Sequence, residues 1–196
     1  MMREYPPLTG TLLQNEVTYL RPLQMLPERV KLESAALNVM TDFKQVTAAT
    51  IDANVSMETA NAVMIKRGVR LLLVVESEVV TGIVTATDIL GEKPLKLIQE
   101  RGITRSEIMV SDIMTPRERL EVLNFREVME AKVGHIVATL KKAGRQHAAV
   151  VEVDQSGKQV LRGLFSATQI ARQLGVQIRT TEVARTFAEI EVILNH

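Results

Sequence analysis

With 196 residues, 46% hydrophobic and 24% charged, the chain is long enough for one or two small domains and has the composition of a soluble globular protein. Its 24 basic and 23 acidic residues leave a formal net charge of +1, which gives no electrostatic footprint for nucleic acid; the lack of Cys excludes disulfides, thiolate metal sites and Cys nucleophiles. Apolar runs such as residues 69–75 are interrupted by charge and too short to span a bilayer, and the start, Met1-Met2-Arg3-Glu4-Tyr5-Pro6-Pro7, has no apolar signal core, so a cytoplasmic protein with no membrane or nucleic-acid partner is expected.

Residues 1–35 hold four of the six prolines (Pro6, Pro7, Pro22 and Pro27) and little periodicity. They predict an irregular arm that packs, through Leu12, Leu13, Val17, Leu20 and Leu23, on its own domain or on a partner subunit. Ser34 is placed to cap a short helix over 35–40, and residues 46–51 are expected to be extended. Ser56, Glu58 in a first turn, Lys66 and Arg67 in a last turn and Gly68 just beyond mark a helix from Met57, with Met57, Ala60, Val63 and Met64 on one face. Residues 69–75 read as a buried strand, Glu76-Ser77-Glu78 as a tight turn and residues 79–85 as the return strand. Thr85 or Thr87 then caps a helix that stops near Gly91, and Pro94 opens another that ends at Arg101-Gly102.

The same order recurs. A lead-in helix over 108–114 is followed by a strand over 120–123, a helix over 134–143 stopped by Gly144, a hairpin of 145–152 with 160–166, and a helix over 167–174 stopped by Gly175. The motif Gly82-Ile83-Val84-Thr85-Ala86-Thr87-Asp88 returns as Gly163-Leu164-Phe165-Ser166-Ala167-Thr168-Gln169. Met40 and Met114 lie 74 residues apart, Gly68 and Gly144 lie 76, and Gly82 and Gly163 lie 81. The growth falls in a small helical insertion over 124–132 and in a longer turn at Asp154-Gln155-Ser156-Gly157-Lys158, as expected of structural repeats. Residues 181–196 predict a further helix with a stripe of Val183, Phe187, Ile190 and Leu194, docked on the repeat or on a second subunit.

No phosphate-binding Gly-rich loop ending in Gly-Lys, no His-Glu-x-x-His and no Gly-x-Ser-x-Gly is present, so no enzyme is predicted. Of the three histidines, His135 suits a helix cap or the surface, His147 a half-buried strand position and His196 a terminus. Asp42, Asp88 and Asp112 are one set of carboxylates that would hold Mg²⁺ with a phosphate if the fold gathered them.

The ordered set Met-Thr, strand, capped helix, Val-Val strand, Gly-Ile-Val-Thr-x-x-Asp and helix resembles a CBS domain, and two in tandem resemble a Bateman module, over residues 37–175. The resemblance implies an α/β (α+β) fold of two tandem β-α-β-β-α units packed as a pseudo-symmetric pair. The expected division is an arm at 1–35, a first unit at 36–103, a second at 104–176 and a C-terminal helix at 177–196. It implies a homodimer that signals to a regulated protein, with AMP, ADP, ATP or S-adenosylmethionine as regulatory ligand and no obligatory cofactor. By the same resemblance Thr85 and Asp88 contact phosphate and ribose, Met40, Thr41, Val46 and Thr47 hold the adenine, Arg70 and His147 stand where phosphate-binding residues begin the Val-Val strand, and Ser166 and Gln169 are the second copy's counterparts.

The residues themselves support both a site and a simpler role. A carboxylate one turn into a helix suits ribose hydroxyls, and a Thr at the strand end suits a phosphate. The same pair suits an ordinary helix cap, and Arg70 suits an exposed strand position. Gln169 lacks the charge of Asp88, so the second cleft is expected to be degenerate or differently selective. The leading expectation is a sensor in which ligand stabilises one packing of the two units and the arm and tail helix report it. The alternative is a ligand-free scaffold for oligomerisation or protein–protein contact.

Overall fold

A computed structural model of the protein describes residues 29–176. Most of the expected N-terminal arm, and the expected helix over 181–196, lie outside the described residues. In chain order, a 3-10 turn at Ala36–Val39 precedes strand β1 (Thr41–Asp42), then β2 (Thr50–Ile51), helix α1 (Met57–Arg67), β3 (Leu71–Glu76), β4 (Val79–Thr85), α2 (Ala86–Leu90) and α3 (Glu92–Arg101). The second series runs α4 (Val110–Ile113), β5 (Thr115–Pro116), β6 (Val122–Asn124), α5 (Phe125–Glu130), α6 (Val133–Ala143), β7 (His147–Val153), β8 (Gln159–Ser166) and α7 (Ala167–Gln173).

Local chemistry explains most of these boundaries. Ser56 Oγ accepts from the Thr59 N–H at 3.1 Å to start α1, and Gly68 at φ 64° ends it in the left-handed region that Gly occupies without cost. Met57, Ala60 and Met64 form its buried face. Residues 71–74 of β3 are all buried, because this central strand is covered along its whole run. The β3–β4 hairpin turns through Ser77 and Glu78, both at positive φ, the geometry that matches strand twist. In the longer β7–β8 turn, Asp154 Oδ1 accepts from the N–H groups of Ser156 and Lys158 and from the Ser156 hydroxyl.

Two expectations are corrected. Ser34 does not cap a helix: its Oγ accepts from the Lys31 N–H at 2.9 Å, and the following 3-10 turn has no side-chain cap. Of the stretch 46–51 expected to be extended, only Thr50–Ile51 is strand, and Val46 belongs to the turn before it. Asp42 draws the chain into a turn instead, accepting the Lys44 N–H at Oδ1 (2.7 Å) and the Gln45 and Val46 N–H groups at its carbonyl (2.9 and 3.0 Å).

Two four-stranded sheets result, ordered β2-β3-β4-β5 and β1-β8-β7-β6. The lead-ins are therefore exchanged. Strand β1, early in the chain, pairs with β8, while β5, from the second series, pairs with β4. The cores follow the sheets: Ala36 and Val39 are buried with Ile136, Phe165 and Ile170, whereas Val110 and Ile113 are buried with Leu72, Val84 and Ile89. A cut of the sequence at residue 103 thus does not separate the two cores.

The repeated glycine is explained by this exchange. A Cβ on Gly163 would lie 2.6 Å from the Thr41 carbonyl oxygen, and one on Gly82 would lie 2.6 Å from that of Thr115. Each glycine lets the other unit's lead-in lie against the strand. Asp42 adds an ion pair to the first crossing: it contacts Arg162 of β8, whose Nε lies 3.2 Å from Glu152 and whose guanidinium sits 4.6 Å from the centre of the Phe125 ring.

Candidate functional site

Both motif corners fall where a strand runs directly into a helix, and both open onto clefts walled by the two units together. The first cleft, of about 580 Å³, joins Thr41, Val46, Thr47 and Arg70 to Ser166 and Gln169. The second, of about 440 Å³, joins Thr85, Thr87 and Asp88 to Thr115, Leu120, Glu121, Arg145 and Gln146. The motif of each copy therefore faces the lead-in and strand start of the other copy. This corrects the expected grouping: Thr41, Val46, Thr47 and Arg70 are not brought to Thr85 and Asp88. Met40 lines neither cleft; it packs on the second core, its sulphur lying over Gly163.

Thr85 and Asp88 form a reciprocal cap at the start of α2. Asp88 N–H donates to Thr85 Oγ1 at 3.3 Å, while Asp88 Oδ2 accepts from the Thr85 N–H (2.9 Å) and hydroxyl (2.6 Å). Lys93 Nζ contacts Asp88 Oδ1 and also donates to the Ile113 carbonyl at 2.9 Å, tying the corner to α4. Asp88 is buried, and its carboxylate is held by Thr85 on one oxygen and Lys93 on the other. Ser166 in the second copy makes no cap bond, and Gln169 is exposed. The same two sequence positions therefore do different work in the two copies.

His147 opens β7 opposite Ser166 and lines both clefts. Burial, and then the Arg70 charge, push its imidazole down to about 4 against the opposing pull of Asp88, so it is neutral at pH 7. His135 caps α6, its Nδ1 accepting from the Lys132 N–H at 3.0 Å.

Sequence reasoning missed Thr115, Arg119, Leu120, Glu121 and Arg145 as cleft residues. The repeat offsets contain the signal, since Thr115 and Leu120 stand 74 residues after Thr41 and Val46. The three aspartates do not gather around a metal. Asp42 pairs with Arg162, Asp88 with Lys93 and Asp112 with Arg101, and among the described residues no group of three or more His, Asp or Glu is placed to hold an ion. A backbone N–H of Met109 on its carboxylate holds Asp112 below the usual range, against the pull of its partial burial and with further help from Arg101.

Residues 37–94 match the family model of the CBS domain. The chain carries a CBS domain. The second series repeats its topology, so the fold is that of a tandem CBS pair. Among solved structures, an uncharacterized conserved protein from Pyrococcus horikoshii is similar at 18% identity, covering 78% of this chain and all of that one, with a TM-score of 0.53. CBSX2, a CBS-pair protein from Arabidopsis thaliana, solved in complex with AMP, is similar at 20% identity over 71% of this chain and 94% of its own, with a TM-score of 0.48. The CBS domain pair of protein MJ0100, solved with 5′-methylthioadenosine and S-adenosyl-L-methionine, is similar at 18% identity over 71% of this chain and 98% of its own, with a TM-score of 0.49. A search of the curated proteins found no match. Among the described residues, no helix is long and apolar enough to cross a membrane.

Proposed function

We propose that this CBS pair is a regulatory module that binds an adenosine compound in the cleft of Thr85 and Asp88 and reports it to a partner protein, without catalysing a reaction. The observation that carries this is the fixed Asp88 carboxylate on the wall of a cleft of about 440 Å³, a size typical of small-ligand sites. Its oxygens already accept from Thr85 and contact Lys93, but an ionised carboxylate has about four lone-pair positions, so a ribose hydroxyl adds without displacing the cap. Ile83, Leu120, Ala149 and Leu164 supply apolar surface for a base. Arg119 and Arg145 stand at the same cleft for phosphate; Arg145 is paired at 3.0 Å with exposed Glu121, a partner easily exchanged.

Regulation follows from the shared walls. A ligand touching Asp88 of one copy and Leu120 of the other favours the relative placement of the units in which both contacts are made. Thermal-shift measurements with adenosine, AMP, ADP, ATP and S-adenosylmethionine test the reading. At about 100 Kd the stabilisation is about 2.7 kcal/mol, a rise of roughly 5–11 °C for a chain of this size. Asp88→Ala removes the shift. Absence of any shift at millimolar concentrations of all five compounds refutes the reading. Sedimentation with and without ligand checks whether the reporting assembly is a homodimer.

A further inference from the structure

Helix α3 has a counterpart in the N-terminal arm. Lys93-Pro94-Leu95-Lys96-Leu97-Ile98-Gln99-Glu100-Arg101 matches Arg21-Pro22-Leu23-Gln24-Met25-Leu26-Pro27-Glu28-Arg29, with Pro, Leu, Glu and Arg identical and the Lys/Arg, Leu/Met and Ile/Leu positions alike in character. Each stretch stands just ahead of a lead-in. Residues 102–108 join the first to Met109 and residues 30–34 join the second to Ala35, two positions that make equivalent bridges, Met109 to Ser56 and Ala35 to Lys132. The difference in length falls at the 3-10 turn Arg105–Glu107, as expected of repeats that vary in their loops.

On the first unit α3 closes the space between the end of α2 and the lead-in. Pro94 is buried and Leu97 and Ile98 pack on the core, whereas Leu95 is 58% exposed. Lys93 contacts Asp88 and donates to the Ile113 carbonyl at 2.9 Å. The corresponding space on the second unit lies between α7 and residues 30–39, where Gln169 and Val39 are the counterparts of Asp88 and Ile113 and Gln169 is exposed. Both ends of the described chain leave from this junction: Val30 and Val176 are buried in the second core, and the Val30 N–H donates to the Gln173 carbonyl at 3.0 Å. The buried Gln173 side chain donates to the Asn38 carbonyl, and its Oε1 has no donor among the described residues.

Arm and tail both start at this space, and the sequence decides between them. At the offset of the second motif, residues 174–182 stand opposite 93–101 and share no residue with them, and Gly175, at φ 82°, turns the chain out of α7. The arm does carry the match, and Leu26 lies four residues from the anchored Val30, a reach of at most about 14 Å. We infer that residues 21–26 dock on the second unit of their own chain, between α7 and the lead-in, as α3 docks on the first, with Met25 and Leu26 against the core and Arg21 at the Gln169 corner. Pro27 stands where α3 has Gln99; it lacks an N–H and disfavours helix in the residue before it, so the docked segment ends there. The arm thereby completes the second unit and brings a cation to its corner as Lys93 does to the first. None of this rests on ligand binding.

Thermal melts of full-chain variants test the inference. Met25→Asp and Leu26→Asp, at the positions of Leu97 and Ile98, should each lower Tm by at least about 5 °C, while Leu23→Asp, at the position of exposed Leu95, should stay within about 2 °C of wild type. Equal Tm for Leu23→Asp and Leu26→Asp overturns the inference. Because the chain has no Cys, cross-linking gives a second readout on a folded protein. Arg21→Cys with Gln169→Cys, treated with a short bis-maleimide at low protein concentration, should close within one chain, giving a product of single-chain mass. A product of twice that mass assigns the face to a second copy, and closure by Val183→Cys with Gln169→Cys in place of the arm pair assigns it to the tail; either overturns the inference. Neither readout uses a nucleotide, so its failure is distinguishable from failure of the adenosine reading.

Discussion

Arg162→Ala tests whether the lead-in exchange is locked by a buried ion cluster. The Arg162 side chain is 11% exposed and contacts Asp42, 16% exposed, across the β1–β8 pairing. It also reaches Glu152 at 3.2 Å and covers Phe125 at 4.6 Å. Breaking a buried pair from one side costs about 3–5 kcal/mol. Asp42 is not left bare here, because it keeps the Lys44 N–H at 2.7 Å, and Glu152 keeps Lys44 Nζ at 3.1 Å. That lowers the electrostatic cost to about 2–3 kcal/mol. Loss of the guanidinium–ring contact adds about 0.5–1 kcal/mol. A total near 3 kcal/mol corresponds to a fall in Tm of roughly 6–12 °C. Urea unfolding of Arg162→Ala, Asp42→Ala and the double variant measures the total and the coupling. A loss below about 1 kcal/mol, the range of an exposed pair, or additive single-variant effects, would refute the reasoning.

Gly163→Ala and Gly82→Ala should each cost about 1–3 kcal/mol or more, because the new Cβ meets a backbone oxygen at 2.6 Å; Gly134→Ala, whose nearest neighbour would be at 3.5 Å inside α6, should be neutral or stabilising by up to about 1 kcal/mol, and melts of the three variants check the contrast. Ser56→Ala removes the α1 cap and should cost about 1 kcal/mol by urea unfolding. His147 is depressed to about 4 in the folded chain from an ordinary 6.5, so between those values the unfolded state binds more protons and stability falls as pH drops from about 6.5 to 4, by up to about 3 kcal/mol. His147→Gln should flatten the pH dependence of Tm in that window.

The sequence discloses elements better than it discloses their partners. Ser56, Gly68, Gly91, Gly102 and Gly144 act through bonds and dihedral angles within a few residues, so the helices they bound are legible from the chain alone. Within residues 46–51, expected to be extended, strand is confined to Thr50–Ile51, because the turn that Asp42 nucleates runs on to Val46 and the composition of the stretch does not show where that turn ends. The exchange of β1 and β5 is a different matter. Each is two residues long, and nothing in Thr41-Asp42 or Thr115-Pro116 states which of two similar sheets it will join. For the same reason neither the grouping of residues into clefts nor the place of Thr115, Arg119 and Leu120 in one of them is legible from the chain alone.

The repeat is symmetric in topology and asymmetric in how its corners are satisfied, and the two facts together suit a sensor better than a passive scaffold. At Thr85 and Asp88 the corner is closed on itself and anchored through Lys93 to the Ile113 carbonyl, so it is rigid before any ligand arrives. At Ser166 and Gln169 the side chains carry no such bonds, and the nearby guanidinium groups lack anionic partners among the described residues. The rigid corner faces the second unit's lead-in and strand start, while the open one faces the first unit's. Occupying either cleft therefore acts on contacts between units, and His147 is present on the walls of both. Arg70 on the wall of one cleft and Asp88 on the wall of the other both act on the His147 imidazole, in opposite directions.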